Sequence, residues 1–203
     1  MDADPVQLRV LGCLIEKQRT TPDVYPLSLN ALRAACNQTT NRDPVVAYDE
    51  ETVREALRRL HQRQWARLAS GAGSRAVKYR HLLDEALELS EPELAVLGVL
   101  MLRGPQTPGE LKGRTERMHP FASLAELHET LDGLVGRALV ARLTRRPGQK
   151  EERYMQLLGG EEADVERTET ARREPGDGLE ARLQRLEDEV ASLRQAVESL
   201  QAP

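Results

Sequence analysis

The stretch that decides the fold is Leu8-Arg9-Val10-Leu11-Gly12-Cys13-Leu14, because it returns 86 residues later as Leu94-Ala95-Val96-Leu97-Gly98-Val99-Leu100. Thr21-Pro22 and Thr107-Pro108 repeat at the same spacing. Further matches follow in the same order. At an offset of 74, Val53, Leu57 and Leu60 match Leu127, Leu131 and Leu134, and at an offset of 75, Lys78-Tyr79 matches Arg153-Tyr154. The chain therefore holds two copies of one unit of about 75 to 80 residues, followed by a different tail. The first copy carries about 12 extra residues, which we expect between its second and third elements.

Each copy predicts three helices. Leu8, Leu11 and Ile15, at spacings of three and four, indicate an amphipathic first helix. The second and third helices of copy one are expected at residues 28–36 and 49–64. In copy two, capping boxes at residues 90–93 and 107–110 begin the first two helices, and the third begins near Ser123.

A different periodicity follows the third helix. Short strand-like stretches at residues 65–69 and 76–80 flank a Gly-rich turn, and residues 139–144 and 153–157 are their counterparts. Three helices followed by a β-hairpin make a winged helix. We therefore predict a mainly α protein with small β-hairpins, of the α+β class, with winged-helix domains at residues 1–86 and 87–158.

Composition and charge narrow the class of protein. Of 203 residues only 3% are aromatic, which favours helical cores of Leu, Val and Ala. The net charge is −4, but residues 1–83 contain 13 basic and 9 acidic residues, a local net of +4 that suits a polyanion. No apolar stretch has the length of a membrane span, no signal peptide is recognisable, and two cysteines are too few for a disulfide framework. We expect a cytoplasmic protein with reduced thiols and no membrane partner.

The chain resembles the YceH-like family of bacterial tandem winged-helix proteins over about residues 5–158. The resemblance rests on residues 8–17, on residues 22–30 and, most specifically, on Ala35-Cys36-Asn37-Gln38-Thr39-Thr40-Asn41-Arg42-Asp43-Pro44-Val45. It implies the fold and a DNA-binding or regulatory role, and it supplies no catalytic residues.

The third helix of copy one carries the first candidate DNA contacts. Arg54 and Arg58 lie four apart on a face away from the apolar positions, and Arg59 and Arg63 form an adjoining stripe. The planar fork of arginine pairs with phosphate or with guanine. The alternative is a solvated face on which Glu51 and Glu55 pair locally with these arginines.

The hairpin of copy one adds further basic residues, Arg67, Arg75, Lys78 and Arg80, with no acid between them. Basic hairpins suit contact with a phosphate backbone, although charged residues also protect exposed strand edges. Copy two has Arg145 and Arg146 in its hairpin, but Glu126, Glu129 and Asp132 on its third helix oppose DNA. Contact with a protein partner is the better prediction for copy two.

The connection between residues 37 and 44 is rich in polar side chains. Asn41 and Arg42 are candidates for contact with a ligand or partner. The alternative, which the turn-forming sequence Asn41-Arg42-Asp43-Pro44 favours, is a self-bonded loop that braces the first two helices against the third.

The tail has its own pattern. Residues 159–178 are polar and predict a flexible linker. Apolar residues at alternating spacings of four and three then predict a coiled-coil helix at 179–203 that forms a parallel homodimer: Leu179, Leu183, Leu186, Val190, Leu193, Val197 and Leu200. The alternative is an amphipathic helix folded back on the domains.

Enzyme chemistry finds little support. The four histidines show no metal-ligand spacing with cysteine, Cys13 belongs to an apolar helix face, and Gly71-Ala72-Gly73-Ser74 lacks the Lys and helix of a phosphate-binding loop. We expect neither catalysis nor a cofactor. Two functions stay open: a dimeric regulator that binds double-stranded DNA through the first domain, and a scaffold that binds proteins.

Overall fold

The computed structural model describes residues 3–69, 77–143, 145 and 151–159. The first repeat runs through α1 (Pro5–Thr20), β1 (Leu27–Ser28), α2 (Leu29–Cys36), α3 (Glu50–Gln62), β2 (Ala66–Leu68) and β3 (Lys78–His81). A short helix, α4 (Leu83–Leu87), leads to the second repeat: α5 (Glu91–Arg103), α6 (Pro108–Thr115), α7 (Leu124–Gly136), β4 (Val140–Leu143) and β5 (Arg153–Gln156). The described residues are thus mainly helical with small antiparallel sheets, as predicted. The predicted linker beyond Gly159 and the predicted helix at 179–203 lie outside them.

Polar caps begin the helices where the sequence predicts. The side chains of Ser28, Asp49 and Ser123 accept hydrogen bonds from backbone N–H groups in the first turns of α2, α3 and α7. Both predicted capping boxes form: the carboxylates of Glu93 and Glu110 accept from the backbone of Ser90 and Thr107, at 2.8 and 2.9 Å. Because the first four N–H groups of a helix have no partner within it, these contacts settle the helix starts locally.

The two sheets share a register. In the first, β3 lies between β1 and β2, with Leu27 and Leu68 both opposite Tyr79. In the second, β4 pairs with β5, and a single bridge from Gln106 to Tyr154 stands where β1 stands in the first sheet. Tyr79 and Tyr154 are equivalent residues of the two repeats. The two-residue edge strand β1, which pairs with β3 at Tyr79, therefore corresponds to the single residue Gln106, which pairs with Tyr154.

Three details differ from the sequence analysis. First, β1 and α4 were not predicted, and α4 contains the predicted domain boundary at residues 86 and 87. Second, the extra length of the first repeat is not confined to the region between its second and third elements. It is shared between a longer first helix, of 16 residues against 13 in α5, and two longer connections. Third, Thr21-Pro22 begins a single 3-10 turn, whereas Thr107-Pro108 begins α6, so these matching dipeptides hold different positions.

The two repeats share one hydrophobic core, in which α1 packs against α5. Every residue from Gln7 to Ile15 in α1 and from Leu94 to Leu102 in α5 is buried. The close approach uses equivalent glycines: a Cβ on Gly12 would stand 2.9 Å from Leu102, and one on Gly98 would stand 3.0 Å from Ile15. The first helices therefore join the repeats, and the third helices and hairpins remain at the periphery. No helix among the described residues has both the length and the apolar character to cross a bilayer.

Candidate nucleic-acid interface

The outer face of α3 presents Arg54, Arg58 and Arg59, which we call the basic face. Their side chains are between 49% and 56% exposed, while Val53, Leu57 and Leu60 point into the core. The arginines sit among acidic neighbours. Arg54 pairs with Glu50 and Glu51, Arg58 with Glu55 at 2.6 Å, and Arg59 with Glu55 at 2.9 Å and Asp4 at 3.3 Å. The predicted local pairs therefore form.

These pairs do not remove the basic face from use by a ligand. Hydrogen bonds from Arg58 and Arg59 lower the pKa of Glu55 to about 2, so the carboxylate is ionised at neutral pH. Ion pairs between exposed side chains contribute little to stability, because water screens them. A phosphate that binds Arg58 therefore competes with the ionised carboxylate of Glu55.

The remaining predicted residue of α3, Arg63, lies at the C-terminal cap of the helix rather than on the basic face. Its guanidinium stands 5.5 Å from the centre of the Trp65 ring. Arg63 therefore lies near the start of the hairpin, beside Trp65, which is 6% exposed and belongs to the core.

The basic residues of the first hairpin differ in their positions and in their acidic partners. Arg67 and Arg80 are opposite each other on β2 and β3, and Lys78 is opposite Ser28 on β1. Arg80 pairs with Glu85 of α4, an acid that the strand sequence alone does not include. Arg67 is exposed and forms no ion pair with the residues that the structure describes. Arg75 lies outside them.

A groove of about 280 Å³ separates α3 from the hairpin. Arg54 and Arg58 line one side of it and Arg67 the other, so the structure brings these three predicted residues together. Leu68, which is 56% exposed, and Tyr79 form its apolar part. The sequence analysis missed both residues, although the alternation of the strand places Leu68 and Tyr79 on the same side as the buried pair Ala66 and His81.

The same surface of the second repeat has a different charge. The offset of 74 places His128 and Asp132 of α7 where α3 has Arg54 and Arg58. Arg142 matches Arg67 in the sequence at an offset of 75, but in the sheet it stands opposite Tyr154, as Leu68 stands opposite Tyr79. Arg142 contacts Asp132 at 3.3 Å and Glu152 at 3.5 Å. Arg145 is exposed, and Arg146 lies outside the described residues. Acidic partners thus surround the best-placed arginine of the second repeat.

The predicted contact residues Asn41 and Arg42 have different positions. The Arg42 side chain has no exposed surface: it binds Glu16 at 2.6 Å, the carbonyl of Ala35 at 3.1 Å and Gln38 at 2.9 Å. Although burial raises it, hydrogen bonds from Arg42 bring the pKa of Glu16 below its ordinary value. Asn41 is exposed, and its side chain accepts a hydrogen bond from Arg103 of α5. Arg42 therefore has the bracing geometry of the structural alternative.

The loop around Arg42 also braces more than the first repeat. The backbone N–H of Asp43 donates to the carbonyl of Leu102 in α5 at 2.9 Å. The Asn37 side chain holds the backbone of Tyr48 through two hydrogen bonds of 2.8 Å, just before α3 begins. The loop thus connects α1, α2 and the start of α3, as the structural alternative predicts. Its contact with α5 of the second repeat was not predicted.

The two cysteines lie in the core. Cys13 and Cys36 have no exposed surface and are free thiols. A hydrogen bond with Cys13 and burial raise the pKa of Cys36, which opposes formation of a reactive thiolate. Among the described residues no group of three or more His, Cys, Asp and Glu side chains has the arrangement of a metal site.

Comparison with known proteins gives one consistent result. Residues 3–149 match the family model described as "Protein of unknown function, DUF480". A "UPF0502 protein" of Pelobacter propionicus is 52% identical over 200 residues, which cover 96% of this chain and 91% of that protein. A second, from Geotalea daltonii, is 59% identical over 77% of this chain and 72% of its own length. "UPF0502 protein YceH" of Salmonella agona is 44% identical over 97% of this chain and 94% of its own length.

Proposed function

The chain belongs to the DUF480 family together with the YceH proteins, and we propose that it is a tandem winged-helix protein that binds double-stranded DNA through its first repeat. In this proposal α3 faces the major groove and the hairpin follows the phosphate backbone, without catalysis or a cofactor. The order of three helices followed by a hairpin, which occurs twice, supports the winged-helix assignment.

One contrast carries the proposal: Arg67 of β2 is exposed with no ion pair among the described residues, whereas Arg142 of β4, its match in the sequence, contacts two carboxylates. Arg67 also shares a groove with Arg54 and Arg58 of the basic face. Binding to DNA is driven largely by release of counterions from phosphate, which requires cations that the protein itself does not neutralise. Arg67 is such a cation, and it lies beside the three arginines of the basic face, whose carboxylate partners a phosphate has to displace. In the second repeat Arg145 is exposed, but Arg142 is neutralised and Asp132 stands where α3 has Arg58.

The matched arginines also supply the test. Anisotropy titrations with a random-sequence duplex measure affinity at two salt concentrations, about 50 and 200 mM. We expect affinity to fall steeply with salt. Arg67→Gln weakens binding to every sequence alike and reduces the slope of log K against log salt by about 1. Arg142→Gln is the control and leaves both quantities unchanged.

Two results would reject this role. One is the absence of salt-dependent binding by the wild-type protein at low salt. The other is an equal loss of DNA affinity in Arg67→Gln and Arg142→Gln, because the first repeat would then not be the preferred binding surface. The first result favours the protein scaffold, for which Leu124 and Val135, 47% and 36% exposed on α7, are the apolar contacts.

We also propose that the tail forms a parallel homodimer. The heptad positions at residues 179–200 lie outside the described residues, so this rests on sequence. In a parallel pair Arg182 faces Glu187 and Glu189 faces Arg194 of the second copy, and both pairs attract. Analytical ultracentrifugation of the full chain is expected to show a dimer that Leu186→Lys with Leu193→Lys converts to a monomer. A wild-type monomer at tens of micromolar, or a dimer that survives both substitutions, contradicts it.

A further inference from the structure

A second cavity, of about 370 Å³, lies between the two repeats and on none of the surfaces discussed for DNA. The C-terminal half of α1 and the loop at residues 38–41 form one side. The end of α5, the last turn of α6 and the turn after it form the other. We call it the inter-repeat cavity. Its volume is in the range of small-molecule sites.

Four cationic side chains line the inter-repeat cavity: Lys17, Arg103, Arg114 and Arg117. Glu16 is the one carboxylate among the lining residues, and it is already bound by buried Arg42 at 2.6 Å and by Lys17 at 3.5 Å. Arg114 pairs with Glu110 at 3.2 Å, and Glu110 is not among the residues that line the cavity. The cavity therefore keeps an excess of positive charge.

The cations repel one another. Burial, and then the charges of Arg114 and Arg42, lower the pKa of Arg103 below its ordinary value. Its side chain binds the neutral oxygen of Asn41 rather than a carboxylate. Arg117 forms neither an ion pair nor a hydrogen bond with any residue that the structure describes. An anion in the cavity would relieve this repulsion.

A purely structural explanation accounts for part of the cluster. Lys17, Arg103 and Arg114 lie in the last turns of α1, α5 and α6, where basic residues offset the helix dipole. That explanation does not apply to Arg117, which follows α6 in a turn. Nor does it explain why these three helix ends surround one cavity together with the side chains of Thr40 and Asn41.

We propose that the inter-repeat cavity binds a small organic molecule through a phosphate monoester group. Guanidinium groups pair with phosphate oxygens through two parallel hydrogen bonds, and three arginines offer more donors than a single carboxylate accepts. The cavity is larger than inorganic phosphate requires. Val99, Leu102 and Met118 provide an apolar wall for the organic part.

This site goes beyond the proposed DNA-binding function and does not depend on it. It uses residues of both repeats, and Asn41 belongs to the loop that holds the start of α3. The sequence analysis named Asn41 as a contact candidate but missed all four cations, because they come from the ends of three separate helices and from the turn after α6.

Isothermal titration calorimetry without DNA tests the proposal. The probes are inorganic phosphate, glycerol 3-phosphate and, as a dicarboxylate, succinate, at matched ionic strength. We expect saturable binding of both phosphates, with glycerol 3-phosphate the tighter and succinate the weakest. Arg117→Gln and Arg114→Gln each reduce phosphate affinity by about 10-fold or more. Arg33→Gln, which changes a partly exposed arginine of α2 outside the cavity, is the control.

Arg117→Gln is the more informative variant, because Arg117 is exposed and its substitution breaks no hydrogen bond or ion pair within the described residues. Three results overturn the proposal: no saturable heat from either phosphate, unchanged affinity in both cavity variants, or tighter binding of succinate than of both phosphates. Because DNA is absent, none of these results bears on Arg67 and the basic face.

Discussion

The two repeats agree at buried positions and diverge at exposed ones. Val53, Leu57 and Leu60 of α3 correspond to Leu127, Leu131 and Leu134 of α7, and all six are buried. The exposed positions between them change from Arg54, Arg58 and Arg59 to His128, Asp132 and Gly133. The apolar pattern therefore maintains the fold in both copies, while the charge on the outer face of the third helix differs between them.

The connections differ as well. The first repeat joins its second and third helices through residues 37–49, the second through residues 116–123. The longer loop contains Arg42, which has no exposed side-chain surface. The repeat with the basic outer face is thus also the repeat that reaches across to brace its neighbour.

The largest expected effect comes from removing that brace. Arg42→Met leaves Glu16 without its buried partner, and breaking such a pair costs about 3 kcal/mol in the free energy of unfolding. Urea denaturation followed by circular dichroism measures the change. The double variant Glu16→Leu with Arg42→Met removes both charges and is expected to regain part of the loss. A loss below about 1 kcal/mol in the single variant contradicts the bracing role.

The two sheets differ in a buried titratable residue, which makes the stability of the first sheet depend on pH. His81 has no exposed side-chain surface, and its equivalent in the second repeat is Gln156. Burial lowers the pKa of His81 to about 4, against the opposing effect of Asp84. The unfolded chain therefore binds more protons than the folded one between pH 6.5 and 4, so stability falls as the pH falls through this window.

The expected size of the His81 effect is about 2 kcal/mol between pH 7 and pH 5. Denaturation midpoints measured at several pH values report it. His81→Gln places the residue of the second repeat at this position and removes this part of the pH dependence. Gln156→His introduces a second buried histidine and is expected to add a similar pH dependence. An unchanged pH profile in His81→Gln would show that His81 titrates in the folded protein as it does in the unfolded chain, which contradicts the prediction.

The equivalent glycines of α1 and α5 give a smaller contrast. A Cβ at Gly12 meets Leu102 at 2.9 Å and Met101 at 3.1 Å, near the base of both side chains. A Cβ at Gly98 meets the Ile15 methyl at 3.0 Å, and its other neighbours are at least 3.7 Å away. Alanine gains about 1 kcal/mol of helix propensity at either site. We expect Gly12→Ala to be less stable than Gly98→Ala by about 1 kcal/mol, because overpacking outweighs propensity only at Gly12. Equal stability would mean that the helices separate freely.

Local signals account for what the sequence predicts well. Capping residues such as Ser28, Asp49 and Thr107 bond within three residues, and the strands of each hairpin are neighbours in the chain. The packing of α1 on α5 depends on residues 86 apart, so periodicity along one helix does not reveal it. A signal was present: Leu94 to Leu102 is apolar all round, which indicates a helix buried on every side.

The candidate sites divide in the same way. Arg54 and Arg58 were predictable because they occupy one face of one helix. Arg42 was ambiguous, since its partners Glu16 and Ala35 lie in other elements and a polar loop residue has the same sequence signature in either role. Arg103, Arg114 and Arg117 were not predicted, because each alone is an ordinary basic residue near a helix end.

The smallest expected effect is on the basic face itself. Arg58 is 56% exposed, and its partner Glu55 keeps a second hydrogen bond from Arg59 at 2.9 Å. Arg58→Gln therefore leaves no buried group without a partner, and an exposed pair of this kind contributes little to the free energy of unfolding because water screens it. We expect its urea midpoint to equal that of the wild type, with Glu129→Gln on α7 as the matched surface control. If the urea midpoint of Arg58→Gln instead fell well below that of Glu129→Gln, the arginines of α3 would be needed for folding. The charge difference between α3 and α7 would then say nothing about which repeat meets DNA.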